Sequence, residues 1–208
     1  MCNLYRLRSA AAEVAHTFDA EADEGANYDE EVYPGYNGLV VVNGRVRAMT
    51  WGFPRPMKGR NGQPIKPKAV TNAREDKLQT WFWRDSFERR RCLIPVTAWA
   101  EPQGEDRRMT RTWYAPAGES LFAIGGIWRR SDEWGDVYSM VMVNSSPQMA
   151  DVHDRMPVIL RREDWTRWTD APADEAFGLC RTWPGELAVD ATDQPWVARR
   201  GAAAPRLI

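Results

Sequence analysis

The sequence predicts an α+β protein that is mainly β, with a barrel-like or sandwich core of short strands and helices packed outside it. Three observations carry that expectation. Leu39-Val40-Val41-Val42 and Arg45-Val46-Arg47-Ala48-Met49 flank Asn43-Gly44, a dipeptide that supplies the positive φ angles of a type I′ turn, so this stretch reads as a hairpin. Cys92-Leu93-Ile94-Pro95-Val96 opens a series of short apolar runs separated by Gly and charged turns such as Ala117-Gly118-Glu119. Helical periodicity is confined to a few segments.

Taken in order, Ser9 is placed to cap a short helix over residues 10–18, whose Val14 and Phe18 lie four apart on one face. The acidic, Gly-containing stretch to about residue 31 reads as a loop. Trp51-Gly52-Phe53-Pro54 ends the hairpin. Residues 54–68, punctuated by Pro and Gly and carrying Arg55, Lys58, Arg60, Lys66 and Lys68 without an acid, read as a basic loop. Residues 76–90 hold Leu78, Trp81, Phe82 and Phe87 among charges and read as a helix with an imperfectly spaced apolar face. Strands follow from Cys92 and over 112–115, 121–128 and 137–143. From Arg161 the pattern gives two short helices and a final strand near 187–189. No repeat, low-complexity tract or linker divides the chain, so one domain is expected over residues 1–208.

With 208 residues, 43% of them hydrophobic and 27% charged, the chain has the composition of a globular protein with a sizeable core. A formal net charge of −1 excludes the global basic field that coats duplex DNA, so any nucleic-acid contact must be local. The 11 tryptophans chiefly supply core, although rings in a groove also suit stacking on unpaired bases. Cys2, Cys92 and Cys180 are scattered, with only His16 and His153 to join them, so no metal site, no cofactor and no disulfide framework is expected. The N-terminus lacks a signal-peptide pattern and no apolar run has the length of a membrane span. A reducing cytoplasm is the expected compartment, with no membrane partner.

Four polar clusters sit at the edges of apolar strands: Cys2, Thr71-Asn72-Ala73-Arg74-Glu75, Trp99-Ala100-Glu101 and His153-Asp154-Arg155-Met156-Pro157. Removal of Met1, which the small second residue permits, leaves Cys2 with an amine of reference pKa about 7.7–8.0 and a thiol near ~8.5, both available at neutral pH. The amine can trap an aldehyde as an imine that the thiol closes to a thiazolidine. Alternatively, the thiol attacks an acyl carbon with the amine as its base. Singly, each residue also has a plainer role: Glu101 as a solvated carboxylate, His153 as a hydrogen-bonded histidine, Asn72 as a helix cap.

In this order the clusters resemble the SRAP family, the SOS response-associated peptidases, which include sensors of abasic sites in single-stranded DNA. Cys2 matches the family's mature N-terminal cysteine, Asn72-Ala73-Arg74-Glu75 its NAR(A)E motif, Trp51-Gly52 with Pro54 its WG segment, and Arg90-Arg91-Cys92-Leu93-Ile94-Pro95 its RRCLIP strand. Glu101 falls where the family's catalytic glutamate stands, and His153-Asp154-Arg155-Met156-Pro157 matches HxRMP. The resemblance runs from Cys2 to Leu160.

What the resemblance implies is a crosslink at abasic sites of single-stranded DNA, by a monomer that associates with the nucleoid when DNA-bound. It makes Cys2, Asn72, Glu101 and His153 catalytic, gives Arg74, Arg84 and Arg155 to phosphates and Trp51 and Pro34 to exposed bases, and adds autoproteolytic loss of Met1. Several positions depart from the pattern. Asn3 and Leu4 replace the Gly-Arg of the usual MCGRY start, Ala98-Trp99-Ala100-Glu101-Pro102 replaces GFYEW, the RYNxAP segment survives as Val32-Tyr33-Pro34, and Asn144-Ser145-Ser146-Pro147 replaces TTxA. Two other readings use the same residues: an N-terminal-nucleophile amidohydrolase, and a non-catalytic module that binds single-stranded DNA.

Overall fold

The computed structural model describes residues 2–105 and 108–196. Met1, whose removal the sequence reading requires, lies outside the described residues, as does the end of the expected domain. The chain begins with β1 (Tyr5–Arg6), α1 (Ala11–Thr17), β2 (Glu21–Ala22) and β3 (Glu31–Val32). Val14 and Phe18 are buried as their spacing predicts, but the Ser9 cap is not formed. The cap position is Ala10, without a side-chain bond, and Ser9 is buried with its carbonyl accepting from Tyr28 Oη.

The Asn-Gly hairpin joins β4 (Asn37–Val42) to β5 (Arg45–Trp51), and Asn43 and Gly44 take φ of 49° and 69°, the positive pair a type I′ turn needs. The expected basic loop is instead a two-stranded ribbon, β6 (Phe53–Lys58) paired with β7 (Pro64–Val70). Each strand of a lone ribbon has an unpaired edge, so prolines that would break a central strand are tolerated here. β8 (Asn72–Arg74) follows at once.

The long helix expected over 76–90 shrinks to a 3₁₀ turn at Glu75–Lys77 and α2 (Arg84–Arg89). Consecutive bulky rings explain the break: Phe82 and Trp83 both lie against Phe53, at 6.1 and 5.1 Å between centroids, while Trp81 stays 85% exposed. Neighbouring residues on one helix face directions about 100° apart, so a continuous helix would not bring both rings to one partner.

β9 (Arg91–Val96), β10 (Ala98–Gln103), β11 (Thr110–Pro116), β12 (Phe122–Ser131) and β13 (Gly135–Asn144) follow, then β14 (Arg155–Pro157), β15 (Ile159–Leu160), α3 (Trp165–Asp170), α4 (Ala173–Phe177) and β16 (Leu187–Pro195). Antiparallel pairs run β5–β4–β9–β12–β13, and a parallel contact of Val137 with Thr50 and Tyr138 with Trp51 returns β13 to β5. The circuit closes a five-stranded barrel, the mainly β core that the strand pattern predicts. β9 and the Val137–Val143 stretch of β13 are buried without a break and so face apolar neighbours on both sides. Trp168 of α3 plugs one side, its Nε1 donating to the carbonyls of Cys92 (3.0 Å) and Gly126 (3.3 Å).

A second sheet of order β16–β11–β10–β1–β3 flanks the barrel, and the chain crosses between the two at Thr97. The Tyr5 and Tyr138 phenols meet in a buried hydrogen bond between β1 of this sheet and β13 of the barrel. Gly38 makes room for them, since a Cβ there would fall within van der Waals contact of both oxygens. Gly38→Ala should therefore lower the melting temperature by about 6–12 °C, from an overpacking cost of about 3 kcal/mol. Calorimetry checks this, and an unchanged transition would mean that the phenols do not brace the two sheets.

Candidate active site

The N-terminal strand lies between β10 and β3, with Tyr5 opposite Trp99 and Val32, and the Leu4 carbonyl accepts the Ala100 N–H at 2.9 Å. Continued for two residues, this antiparallel register runs Cys2 alongside Glu101 and Pro102. Cys2 is fully buried there, its thiol pointing to the Leu4 carbonyl at 3.5 Å.

Asn72 reaches the same place from the barrel. β8 runs parallel to β13 with Asn72 opposite Met140, and Asn72 Nδ2 donates to the Cys2 carbonyl and to Thr71 Oγ1, each at 2.8 Å. Two acceptors on one side fix the amide's orientation. Asn72 Oδ1 is then left buried with no hydrogen-bond partner among the described residues.

Glu101 on β10 is fully buried, and burial pushes its carboxyl up to about 7, with the Asp154 charge adding to the shift. At neutral pH it is therefore present in both protonation states. The Cys2 thiol is raised far above its ordinary value, first by burial and then by Glu101. This corrects the expectation of a thiol near its ordinary pKa and available at neutral pH: a sulfur here reacts only if a neighbouring base takes its proton.

His153 is held by its own backbone, its N–H donating to Met149 O at 3.0 Å and its Nδ1 accepting the Arg155 N–H at 2.9 Å. The neutral ring accordingly carries its proton on Nε2. Asp154 Oδ1 lies 3.1 Å from the same Nδ1, a contact that attracts only when the imidazole is protonated. That carboxylate is exposed and well solvated, and burial prevails, lowering the histidine below its ordinary value. The Asp154 charge is felt by His153 and Glu101 alike, so this loop lies near Glu101.

The expected DNA-binding residues divide. Arg74 is exposed and forms two 2.9 Å bonds to Asp76, and Arg84 is exposed at the start of α2. Arg155 is mostly buried and bonded to both oxygens of Glu75, at 3.0 and 3.2 Å. Pro34 sits exposed on a turn whose Gly35 N–H bonds the Trp51 carbonyl at 2.8 Å. Buried Arg111 anchors this turn through Glu31 (3.0 Å) and Tyr33 Oη (2.9 Å). Trp51 itself is not available for stacking on bases. It is fully buried, edge-on to Tyr5 at 5.0 Å, with Nε1 donating to Thr71 O at 3.2 Å, so it forms the floor beneath Asn72.

Sequence reasoning did not single out Thr71 as a hydrogen-bond partner of Asn72, Arg111 as the anchor of the Pro34 turn, or the two phenols. For Arg155 and Glu75 a signal was available, because the two motifs contribute opposite charges. Among the described residues no group of three or more His, Cys, Asp and Glu is placed to hold a metal ion. No described helix is long and apolar enough to cross a membrane.

The family model described as SOS response associated peptidase (SRAP) matches residues 1–193. The chain belongs to the SRAP family. Two curated relatives from Bacillus subtilis (strain 168) are the abasic site processing proteins YoqW and YoaM. YoqW is 26% identical over 180 residues, covering 81% of this chain and 80% of its own. YoaM is 25% identical over 182 residues, covering 81% and 78%. A crystal structure of a Bordetella bronchiseptica protein shares the fold with a TM-score of 0.77 at 24% identity, over 92% of this chain and 99% of that one. One from Bacteroides thetaiotaomicron does so with a TM-score of 0.75 at 17% identity, over 91% of each. This SRAP chain thus keeps the fold of distant relatives.

Proposed function

We propose that this SRAP protein processes abasic sites in single-stranded DNA by capturing the lesion covalently through Cys2 once Met1 has been removed. The observation that carries the proposal is the hold on Cys2: its carbonyl is fixed by Asn72 at 2.8 Å, alongside a buried carboxyl that titrates near 7. The names of the Bacillus relatives support the same substrate.

Loss of Met1 converts the Cys2 amide nitrogen to an amine, and the unpartnered Asn72 Oδ1 is the acceptor that orients it. The ring-opened deoxyribose offers an aldehyde. The amine adds to that carbon to give a carbinolamine, and Glu101 takes the nitrogen's proton and returns it to the departing hydroxyl as water leaves. The Cys2 sulfur then adds to the imine carbon, with its proton passing to the nitrogen through Glu101, and the five-membered thiazolidine closes. His153 presents Nε2–H toward the sugar oxygens and, when protonated, is a strong enough acid to promote ring opening. The order matters. A thiol held protonated by burial leaves the amine as the first nucleophile, so the imine precedes the ring.

Arg74, Arg84 and Arg155 lie on the proposed path of the flanking phosphates, and Pro34 on its exposed turn is the wedge against neighbouring bases. Arg74→Ala should weaken association with an abasic oligonucleotide about tenfold, the loss of one charge-assisted contact, without slowing reaction with a small free aldehyde. Equal losses in both assays would refute its role as a phosphate contact.

Borohydride trapping tests the chemistry. With Met1 absent, Cys2→Ser keeps the amine but lacks the sulfur that closes the ring. Its adduct should be labile on a denaturing gel unless borohydride reduces it, whereas the wild-type adduct should survive without reductant. A wild-type adduct that also needs borohydride would refute ring closure by sulfur.

A further inference from the structure

We propose that the β6–β7 ribbon is a second, noncovalent binding surface for the phosphate backbone of an unpaired DNA strand leaving the Cys2 site. This rests on the reading of the substrate as DNA and extends it to a part of the chain that the chemistry does not use. The ribbon carries Arg55, Lys58, Arg60, Lys66 and Lys68, all exposed, and contains no acid. Among the described residues none of these five forms an ion pair, whereas Arg8, Arg45, Arg47, Arg74, Arg90 and Arg155 each lie against a carboxylate. In a chain of net charge −1, five uncompensated cations thus share one projecting element, whereas other exposed arginines without an ion pair among the described residues, such as Arg84, Arg130 and Arg162, are scattered.

The register makes the arrangement specific. Arg55 stands directly opposite Lys68, a like-charge pair that destabilises a ribbon unless an anion lies between them. Further out, past a shift of register between Arg55 and Met57, Met57 stands opposite Ile65, with 37% and 47% exposure. Along its length the ribbon therefore offers an exposed cation pair followed by an exposed apolar pair, which suits a phosphate followed by a sugar or an unstacked base. A paired base keeps its faces stacked in the duplex, so the apolar pair favours a single strand.

The ribbon is rooted beside Asn72. β7 runs straight into Thr71 and Asn72, so Lys68 lies within about 14 Å of Asn72 along the extended chain. Gly52 packs against Ala69 without room for a Cβ, and Ser139 Oγ donates to Val70 O at 2.6 Å, which clamps the base of the arm to β13. At that base Arg129 lies over the Phe53 and Phe82 rings, at 4.3 and 4.8 Å, and the exposed Trp81 indole packs edge-on to Phe82. A strand following the cations would therefore meet a free aromatic face.

The test compares wild type with Arg55→Gln/Lys58→Gln/Lys66→Gln/Lys68→Gln, changes confined to exposed side chains. Both bind an undamaged single-stranded oligonucleotide, and a duplex of the same sequence, over a range of salt. The expected result is a loss of at least tenfold in single-strand affinity at low salt. The log–log salt slope should become shallower by about 0.7 for each phosphate contact removed. Adduct yield with saturating abasic DNA should be unchanged. Equal single-strand affinity and slope for the two proteins would overturn the proposal, as would a loss seen only with the duplex. Because the binding readout needs no adduct, an arm that binds in a protein that never crosslinks would refute covalent capture and leave the arm standing.

Discussion

Glu101→Gln is expected to slow adduct formation by two to three orders of magnitude, the range lost when a positioned acid–base group is removed, and at the same time to stabilise the protein above pH 7. Both effects follow from burial of the carboxyl. Its folded pKa is raised from the ordinary value to about 7. Between roughly pH 4.5 and 7 the unfolded chain gives up this proton while the folded chain keeps it, so stability falls as pH rises through that window. The accumulated cost is on the order of 3 kcal/mol above pH 7, and glutamine removes it. Denaturant titrations at pH 5 and pH 8 should therefore show the variant gaining only at the higher pH, and the wild-type inflection of rate near neutrality should vanish. A variant that is slower but no more stable at pH 8 would mean that the carboxyl is not held in its neutral form by the fold.

Asn72→Ala should be nearly as damaging, for a geometric reason. The amide links the barrel to the Cys2 carbonyl, and without it that carbonyl is left with no donor among the described residues, at about 1–3 kcal/mol. A reacting atom misplaced by about 1 Å costs roughly 10²-fold in rate. The loss should extend to a small free aldehyde, because Asn72 acts on the nucleophile, whereas the effect of Arg74→Ala depends on DNA. Retention of the small-aldehyde reaction in Asn72→Ala would contradict this division.

Much of this architecture was legible because its signals are local. Asn43-Gly44 between two β-rich runs can hardly be anything but a hairpin, and the apolar runs at 92–96, 121–128 and 137–143 all became strands. Closure of the barrel left no such mark, because the contact of Tyr138 with Trp51 joins residues far apart in sequence through a short parallel pair. The ribbon was hidden by its prolines, which signal a loop unless both edges of the strands are known to be free. At the site, the residue types of Cys2, Asn72, Glu101 and His153 suggested the chemistry proposed for them, but their ionisation was not legible. The thiol and the carboxyl are both shifted by burial, which exists only once β1 is laid between β3 and β10. Trp51 illustrates the same limit, since an indole in a motif reads alike whether it faces a base or, as here, Tyr5 and the Thr71 carbonyl.

Joint capture of an aldehyde by the Cys2 amine and thiol is open to intact mass spectrometry under denaturing conditions. Purified protein is incubated with a single-stranded oligonucleotide containing one abasic site, beside the undamaged oligonucleotide. The account predicts one new species, found only with the lesion, whose mass is that of the Met1-free chain plus the oligonucleotide less one water. No adduct from Met1-free protein, or an adduct that still carries Met1, would contradict it.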